Sequence, residues 1–173
     1  MKRFTLVLTL CLTLCLAFSP ITTDAGQRRS VELLGSVSGQ ESPEQAFLTA
    51  KYSLVTTVER IPRAVLTCLF ARAKPSWKHD ARLANPGERF NSTDIIDTRY
   101  PMRRLVLAGV ESRSWFVSYE HGGRGYHRHL VVFTRSGDWV KLAYARTFLS
   151  KAATLEELRQ LVKTGQMSEG EEF

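Results

Sequence analysis

The chain has 173 residues, with 24 Lys and Arg against 17 Asp and Glu, for a formal net charge of +7. The charge is scattered, densest at Arg28-Arg29 and Arg103-Arg104, with no basic stripe interleaved with aromatics. Composition therefore argues against nucleic-acid binding and fits weak attraction to anionic surfaces such as lipid headgroups or cell-wall polymers better.

The N-terminus reads as a secretory signal peptide. Lys2 and Arg3 precede an apolar run, Phe4 to Phe18, broken only by Thr and Cys, and Thr23-Asp24-Ala25 supplies the small residues of a cleavage site. The run is 15 residues long, short of the roughly 20 that span a bilayer, so no stable membrane span is expected after cleavage. Leu14 before Cys15 excludes a lipoprotein signal, which needs a small residue there. Cleavage after Ala25 leaves 148 residues and a charge of +6, since Lys2, Arg3 and Asp24 are lost. That is one domain with room for a real core, exported to a periplasm or secreted.

Only Cys68 survives cleavage, because Cys11 and Cys15 belong to the leader. No internal disulfide can form. Cys68 lies in the apolar run Val65 to Phe70 and reads as a buried thiol, with an intermolecular disulfide as the alternative.

In chain order, residues 26–41 form a flexible lead-in with a short strand at Val31 to Leu34. Ser42-Pro43-Glu44-Gln45 is a helix start, with a cap, a proline at the first helical position and a residue that reaches back. The stripe Phe47, Ala50, Leu54, Val58, Ile61 predicts a helix over 43–61. Pro62 kinks it or starts a second helix through Ala73, and Pro75 closes the segment. Residues 75–101 form a long loop, a length that goes with function or partial structure. Within it, Trp77 reads as a lid or an anchor, His79 stands alone, and Asn91-Ser92-Thr93 matches a glycosylation acceptor that matters only in a eukaryotic host.

Strands follow at 104–110, 114–121, 126–134 and 139–147, rich in aromatic and β-branched residues and separated by Gly-containing turns. Thr154-Leu155-Glu156-Glu157 opens a short helix that Gly165 stops, and residues 166–173 are an acidic, frayed tail. The fold class is α+β: an N-terminal helical segment packed on one face of a four-stranded antiparallel meander, with a short C-terminal helix, in one domain over 42–165.

Three of the four histidines sit at one tip of the meander. A hairpin turning symmetrically about Gly123-Arg124 sets Glu120 opposite His127 and Ser118 opposite His129. A second turn about Ser136-Gly137 brings Tyr144 opposite His129 and Arg146 opposite His127. Alternation then gathers Ser118, Glu120, His127, His129, Tyr144 and Arg146 on one face, beside the apolar Phe116, Val131, Phe133, Val140 and Leu142. An apolar floor with a polar rim is the usual form of a small-molecule site. His127, His129 and Glu120 form a ligand set for Zn²⁺ or Fe²⁺. Alternatively, Glu120 orients His127 as a general base while Tyr144 and Arg146 hold an anionic or carbonyl group. The plain alternative is a solvated hairpin tip whose cross-strand pairs contribute about 0.2–1 kcal/mol each. One extra residue in the Gly-rich turn would bring His121 onto that face and dissolve the set.

These features point first to an exported small-ligand-binding or protein-interaction module. No cofactor is required, and a divalent metal is the one inorganic partner suggested. The ligand is an unidentified small molecule or an envelope or extracellular protein. The runner-up is a small exported hydrolase, lyase or isomerase using Glu120 with the histidines. The third reading is an envelope-associated inhibitor or interaction protein using the tip around Arg124.

Overall fold

The computed structural model describes residues 41–71, 80–123 and 125–169. The leader, the strand at Val31 to Leu34, Trp77, His79 and Arg124 lie outside the described residues.

Ser42 caps the first helix, its Oγ accepting from the Gln45 N–H at 3.1 Å, and Pro43 occupies the first turn. This helix, α1, spans only Pro43–Thr49, so the helix expected over 43–61 is not formed. Two causes are visible. The Arg159 guanidinium donates to the carbonyls of Phe47 and Ala50, the groups a longer helix would use. Beyond them, Ser53-Leu54-Val55-Thr56-Thr57-Val58 is rich in β-branched residues, and a sheet edge is available. Ser53–Val55 becomes β1, pairing with Ala108–Val110. A 3₁₀ turn at Val58–Arg60 follows, and Pro62 precedes α2 at Arg63–Phe70.

The four expected strands form close to their predicted positions: β2 (Arg103–Val110), β3 (Ser114–His121), β4 (His127–Ser136) and β5 (Trp139–Phe148). After α3 (Leu155–Lys163), Ser168–Glu169 forms β6 along β5. The described sheet thus has six strands in the order β1 to β6, an antiparallel meander with two short edge strands added to the expected four. The start of the tail is therefore paired. The capping box at α3 is complete, with Thr154 accepting from the Glu157 N–H and the Glu157 side chain reaching back.

The helices do not share one face. α2 covers one side through Val65 and Leu69, packing with Leu105, Val117, Tyr119, Val131 and Phe133. α1 and α3 cover the other through Phe47, Leu158 and Leu161, packing with Phe116, Leu130, Val132 and Phe148. Near-continuous burial along β3 and β4 reflects this two-sided cover; a sheet packed on both faces loses the clean polar alternation of a one-sided one. Cys68 is half-buried on α2, against the first of these clusters. No described helix is long and apolar enough to cross a membrane.

Polar side chains organise the described part of the long loop. Asn91 is buried. Its amide donates to the carbonyls of Asp97 and Tyr100 at 2.9 and 2.6 Å and accepts from the Asp97 N–H at 2.8 Å. The sequon asparagine is thus a loop anchor. Asp80 accepts from the Met102 N–H at 2.5 Å and from Arg82 at 2.8 Å.

This loop is clamped to the β3–β4 hairpin at Gly122. The Gly122 N–H donates to the Met102 carbonyl at 2.9 Å. A Cβ at Gly122 would lie 1.6 Å from the Asn91 carbonyl oxygen and 2.9 Å from the Ser92 Cα, both backbone atoms that cannot swing away. Gly122→Ala is expected to cost at least the ~1–3 kcal/mol typical of overpacking. Urea unfolding checks this, and a variant as stable as the parent would show that the clamp is not tight.

Candidate functional site

The register of β3 on β4 decides what the hairpin end can do. His121 pairs with His127, Glu120 with Arg128, Tyr119 with His129 and Ser118 with Leu130. This is one residue away from the symmetric two- or four-residue turn expected from the sequence. The loop is five residues long, Gly122 to Tyr126, and Gly123 and Gly125 take φ values of 89° and 78° that only glycine adopts easily. Because side chains alternate, a shift of one moves every partner to the other face.

The second hairpin is displaced as well. Its turn is Gly137-Asp138, with Gly137 at φ 59° and Ser136 opposite Trp139, a two-residue loop with glycine first. The pairing then slips between Val132 and Phe133, leaving Ala143 as the extra residue of a bulge. Past it, Tyr144 faces Val132, Arg146 faces Leu130 and Thr147 faces His129.

The six residues expected on one face are therefore divided. His127 and His129 lie on the α2 face. Ser118, Glu120, Tyr144 and Arg146 lie on the face covered by α1 and α3. Tyr144 is part of that apolar cluster, with the Arg146 guanidinium over its ring at 4.4 Å. Ser118 is fully buried.

Glu120 is a brace and not a ligand to the histidines. Its carboxylate receives Arg104 and Arg128, each with a closest contact of 2.6 Å, and the Tyr126 hydroxyl at 2.6 Å. Arg128 also donates to the Ala152 carbonyl at 3.0 Å, tying the hairpin to the segment before α3. Burial pushes the Glu120 carboxyl up, but the hydrogen bonds from Tyr126, Arg104 and Arg128 outweigh it and hold the group below its usual range. The group is an anion tying together β2, β3 and β4 at the hairpin end.

On the α2 face the same register gathers His121, His127 and His129. One ring nitrogen from each falls within 4.8 Å of the others. His121 Nδ1 and His127 Nε2 are 3.4 Å apart. His127 and His129 are in edge contact with ring centroids 4.6 Å apart, and Tyr119 stacks on His129 at 4.8 Å. The other nitrogen of two of the rings is engaged behind the cluster. His127 Nδ1 meets the Gly125 carbonyl, an acceptor, so that nitrogen carries a proton. His129 Nδ1 lies 3.3 Å from the Thr147 hydroxyl.

Arg103, directly across from His121 on β2, completes the group. It is 2% exposed, its Nη1 donates to the Asp80 main-chain carbonyl at 2.9 Å, and its guanidinium lies over Phe70. Burial pushes the Tyr119 hydroxyl up, partly offset by the Arg103 charge beside it. Burial first, then the charges of Arg103 and His127, bring His121 down to about 4, against a smaller opposing pull from Asp80. Burial, then the neighbouring His127, His121 and Arg103, bring His129 down to about 2. Both imidazoles are neutral at physiological pH.

Sequence reasoning reached His121 only through the extra-residue alternative that Gly122, Gly123 and Gly125 allow. It took Arg103 only as half of one of the denser pairs in a scattered positive charge. A long polar side chain entering a strand before Leu105 carries no local mark of its burial.

Comparison with known proteins finds no matching family model, no matching curated protein and no matching solved structure.

The buried imidazoles of His121 and His129 set a pH dependence of stability. Their folded pKa values lie below the unfolded value of about 6.5, so the unfolded chain binds more protons and stability is lost as pH falls below that value. The His121 contribution levels off below about 4, whereas the His129 contribution continues toward 2. Near pH 5 these two groups should take up close to two protons on unfolding, and His121→Gln should remove about one. Urea-derived stability measured between pH 4.5 and 6 reads this slope; an unchanged slope in the variant would contradict the burial of His121.

Proposed function

We propose that the protein is an exported metal-binding module that holds a divalent transition metal of the Zn²⁺ class through His121, His127 and His129. The observation that carries this reading is the approach of one nitrogen from each imidazole to within 4.8 Å of the others. Two ligand nitrogens bound at 2.0–2.1 Å around a tetrahedral ion lie about 3.3–3.4 Å apart. The 3.4 Å between His121 Nδ1 and His127 Nε2 already matches that edge.

The chemistry of the donors agrees. Metal ligands must be deprotonated, and His121 and His129 are held neutral by their surroundings, so few protons compete. The Gly125 carbonyl behind His127 and the Thr147 hydroxyl by His129 are outer-shell partners of the kind that fix ring orientation and tautomer.

Among the described residues three ligand nitrogens converge, the number of protein ligands that catalytic zinc sites use beside a water or substrate. This favours as second reading a small metal-assisted hydrolase or lyase over an interaction protein working through its hairpin tip. In that reading His121 replaces Glu120 in the working set.

Titration of the chain with Zn²⁺ and Co²⁺, followed by thermal melting, tests the proposal. Metal at about 100 times its Kd should add about 2.7 kcal/mol, raising the melting temperature by on the order of 10 °C for a domain of this size. His121→Ala, and His127→Ala with His129→Ala, should each lose more than the ~10–100-fold in affinity that outer-shell changes cost. Glu120→Gln should keep a one-to-one site. No shift with Zn²⁺, Co²⁺, Ni²⁺ or Cu²⁺ would end the metal reading.

A further inference from the structure

We infer that the end of the sheet opposite the histidines docks on an anionic lipid surface, with Trp139 entering the headgroup region and Lys51, Arg113, Arg135 and Lys141 meeting the lipid phosphates. This inference stands apart from the metal reading and uses none of its residues.

Two turns build this end, Glu111-Ser112-Arg113 between β2 and β3 and Gly137-Asp138 between β4 and β5. The Arg135 N–H donates to the Arg113 carbonyl at 2.7 Å and joins them. Thr134 pairs with Lys141 and Ser136 with Trp139. Alternation sets these four side chains on the face that α1 and α3 cover further along. The cover stops short of them. Val132, on the same face, is 2% exposed, whereas all four of these residues are exposed, Trp139 to 83%. The hairpin therefore projects past the helical layer, and an indole stands near its tip.

Tryptophan is highly buried on average, and a ring with one polar N–H suits the boundary between water and lipid. One exposed apolar side chain needs no function by itself. The charge around this one gives it a partner. Lys51 and Arg135 line one shallow hollow at this end, and Arg113 and Arg135 line the next. Lys51, Arg113, Arg135 and Lys141 are all exposed. The acids of the two turns are Glu111 and Asp138, so four cations face two acids. Glu111 is engaged within its own turn, its carboxylate accepting from the Ser112 hydroxyl and from the Arg113 N–H at 3.0 Å. A projecting, positive tip that carries a tryptophan matches a flat, negative, hydrated surface better than an enclosed cleft. Cations near such a surface are drawn to it, and an indole anchors at headgroup level.

The test is binding of the full chain to vesicles of phosphatidylcholine, alone or mixed with phosphatidylglycerol. It is read by sedimentation and by quenching of tryptophan with bromine-labelled lipid. The apolar run Phe4 to Phe18 is present in every sample, so the result is the difference between vesicles and between variants. The expected affinity is about tenfold or more higher for the mixed vesicles, and the difference shrinks as salt screens the charges. Arg113→Gln with Arg135→Gln should weaken that binding by about fivefold for each cation removed. Trp139→Phe should remove most of the lipid quenching, and Trp139→Ala should also weaken binding. All three positions are exposed, so an unchanged urea midpoint is expected in each variant. Equal affinity for the two vesicles would overturn the inference. So would quenching that persists in Trp139→Phe, or an undiminished anionic preference in the double Gln variant, since either puts the contact elsewhere. Retention by a soluble polyanion without vesicle binding would overturn it in favour of a polymer. No metal enters these measurements, so no outcome here bears on the histidine site.

Discussion

The pairing of His121 with His127 depends on a five-residue loop whose first residue has no room for a side chain. Gly122 lies against the main chain of Asn91 and Ser92 and donates to Met102. Asn91 is in turn pinned by three hydrogen bonds to its own loop. The hairpin thus cannot shorten to a symmetric turn without losing its seat on the 80–101 loop. Everything at this end of the sheet inherits that constraint, because a shift of one residue would carry each histidine to the opposite face.

The consequence is a division of labour across the thickness of the sheet. On the side of α1 and α3, Glu120 gathers Arg104, Arg128 and Tyr126 into a satisfied ionic group. On the side of α2, residues adjacent in sequence to that group, His121, His127 and His129, carry the imidazoles. Arg128 sits between two of the histidines in sequence and is held from behind by both Glu120 and Ala152. The ionic group and the histidine cluster are therefore not rivals for the same space. The brace ties the strands together from one face and leaves the other to the histidine cluster.

Much of this was legible in the sequence, and the unread part has identifiable physical causes. Strands β2 to β5 and the capping box of α3 follow from patterns within a few residues, and local patterns survive the tertiary context. The helix expected through Ile61 fails for a nonlocal reason: Arg159, more than a hundred residues away, takes the carbonyls that would extend it, and β2 offers an edge. The two-faced packing was hidden because strands buried on both sides lose their alternation. The histidine tip was located, but its membership turned on whether a Gly-rich loop holds four residues or five. Three glycines permit either, and the steric clamp that decides lies in Asn91, thirty-one residues upstream of Gly122.

The same clamp bears on why the histidine end is built as it is. Buried polar groups are costly unless paired, and a guanidinium and three imidazoles on the covered face of a sheet are an expensive set to assemble. A hydrophobic layer like the one two rows away, where Val117 faces Val131 and both are buried, would serve stability better. Keeping His121 and His129 neutral requires that protons be excluded, which is a standing cost to stability in acid. That cost falls on residues whose nitrogens converge, and not on the ionic brace behind them. Convergent nitrogen donors beside a buried arginine are poor structural cement. Under the metal reading proposed above, such donors would gain their stability when the ion is bound.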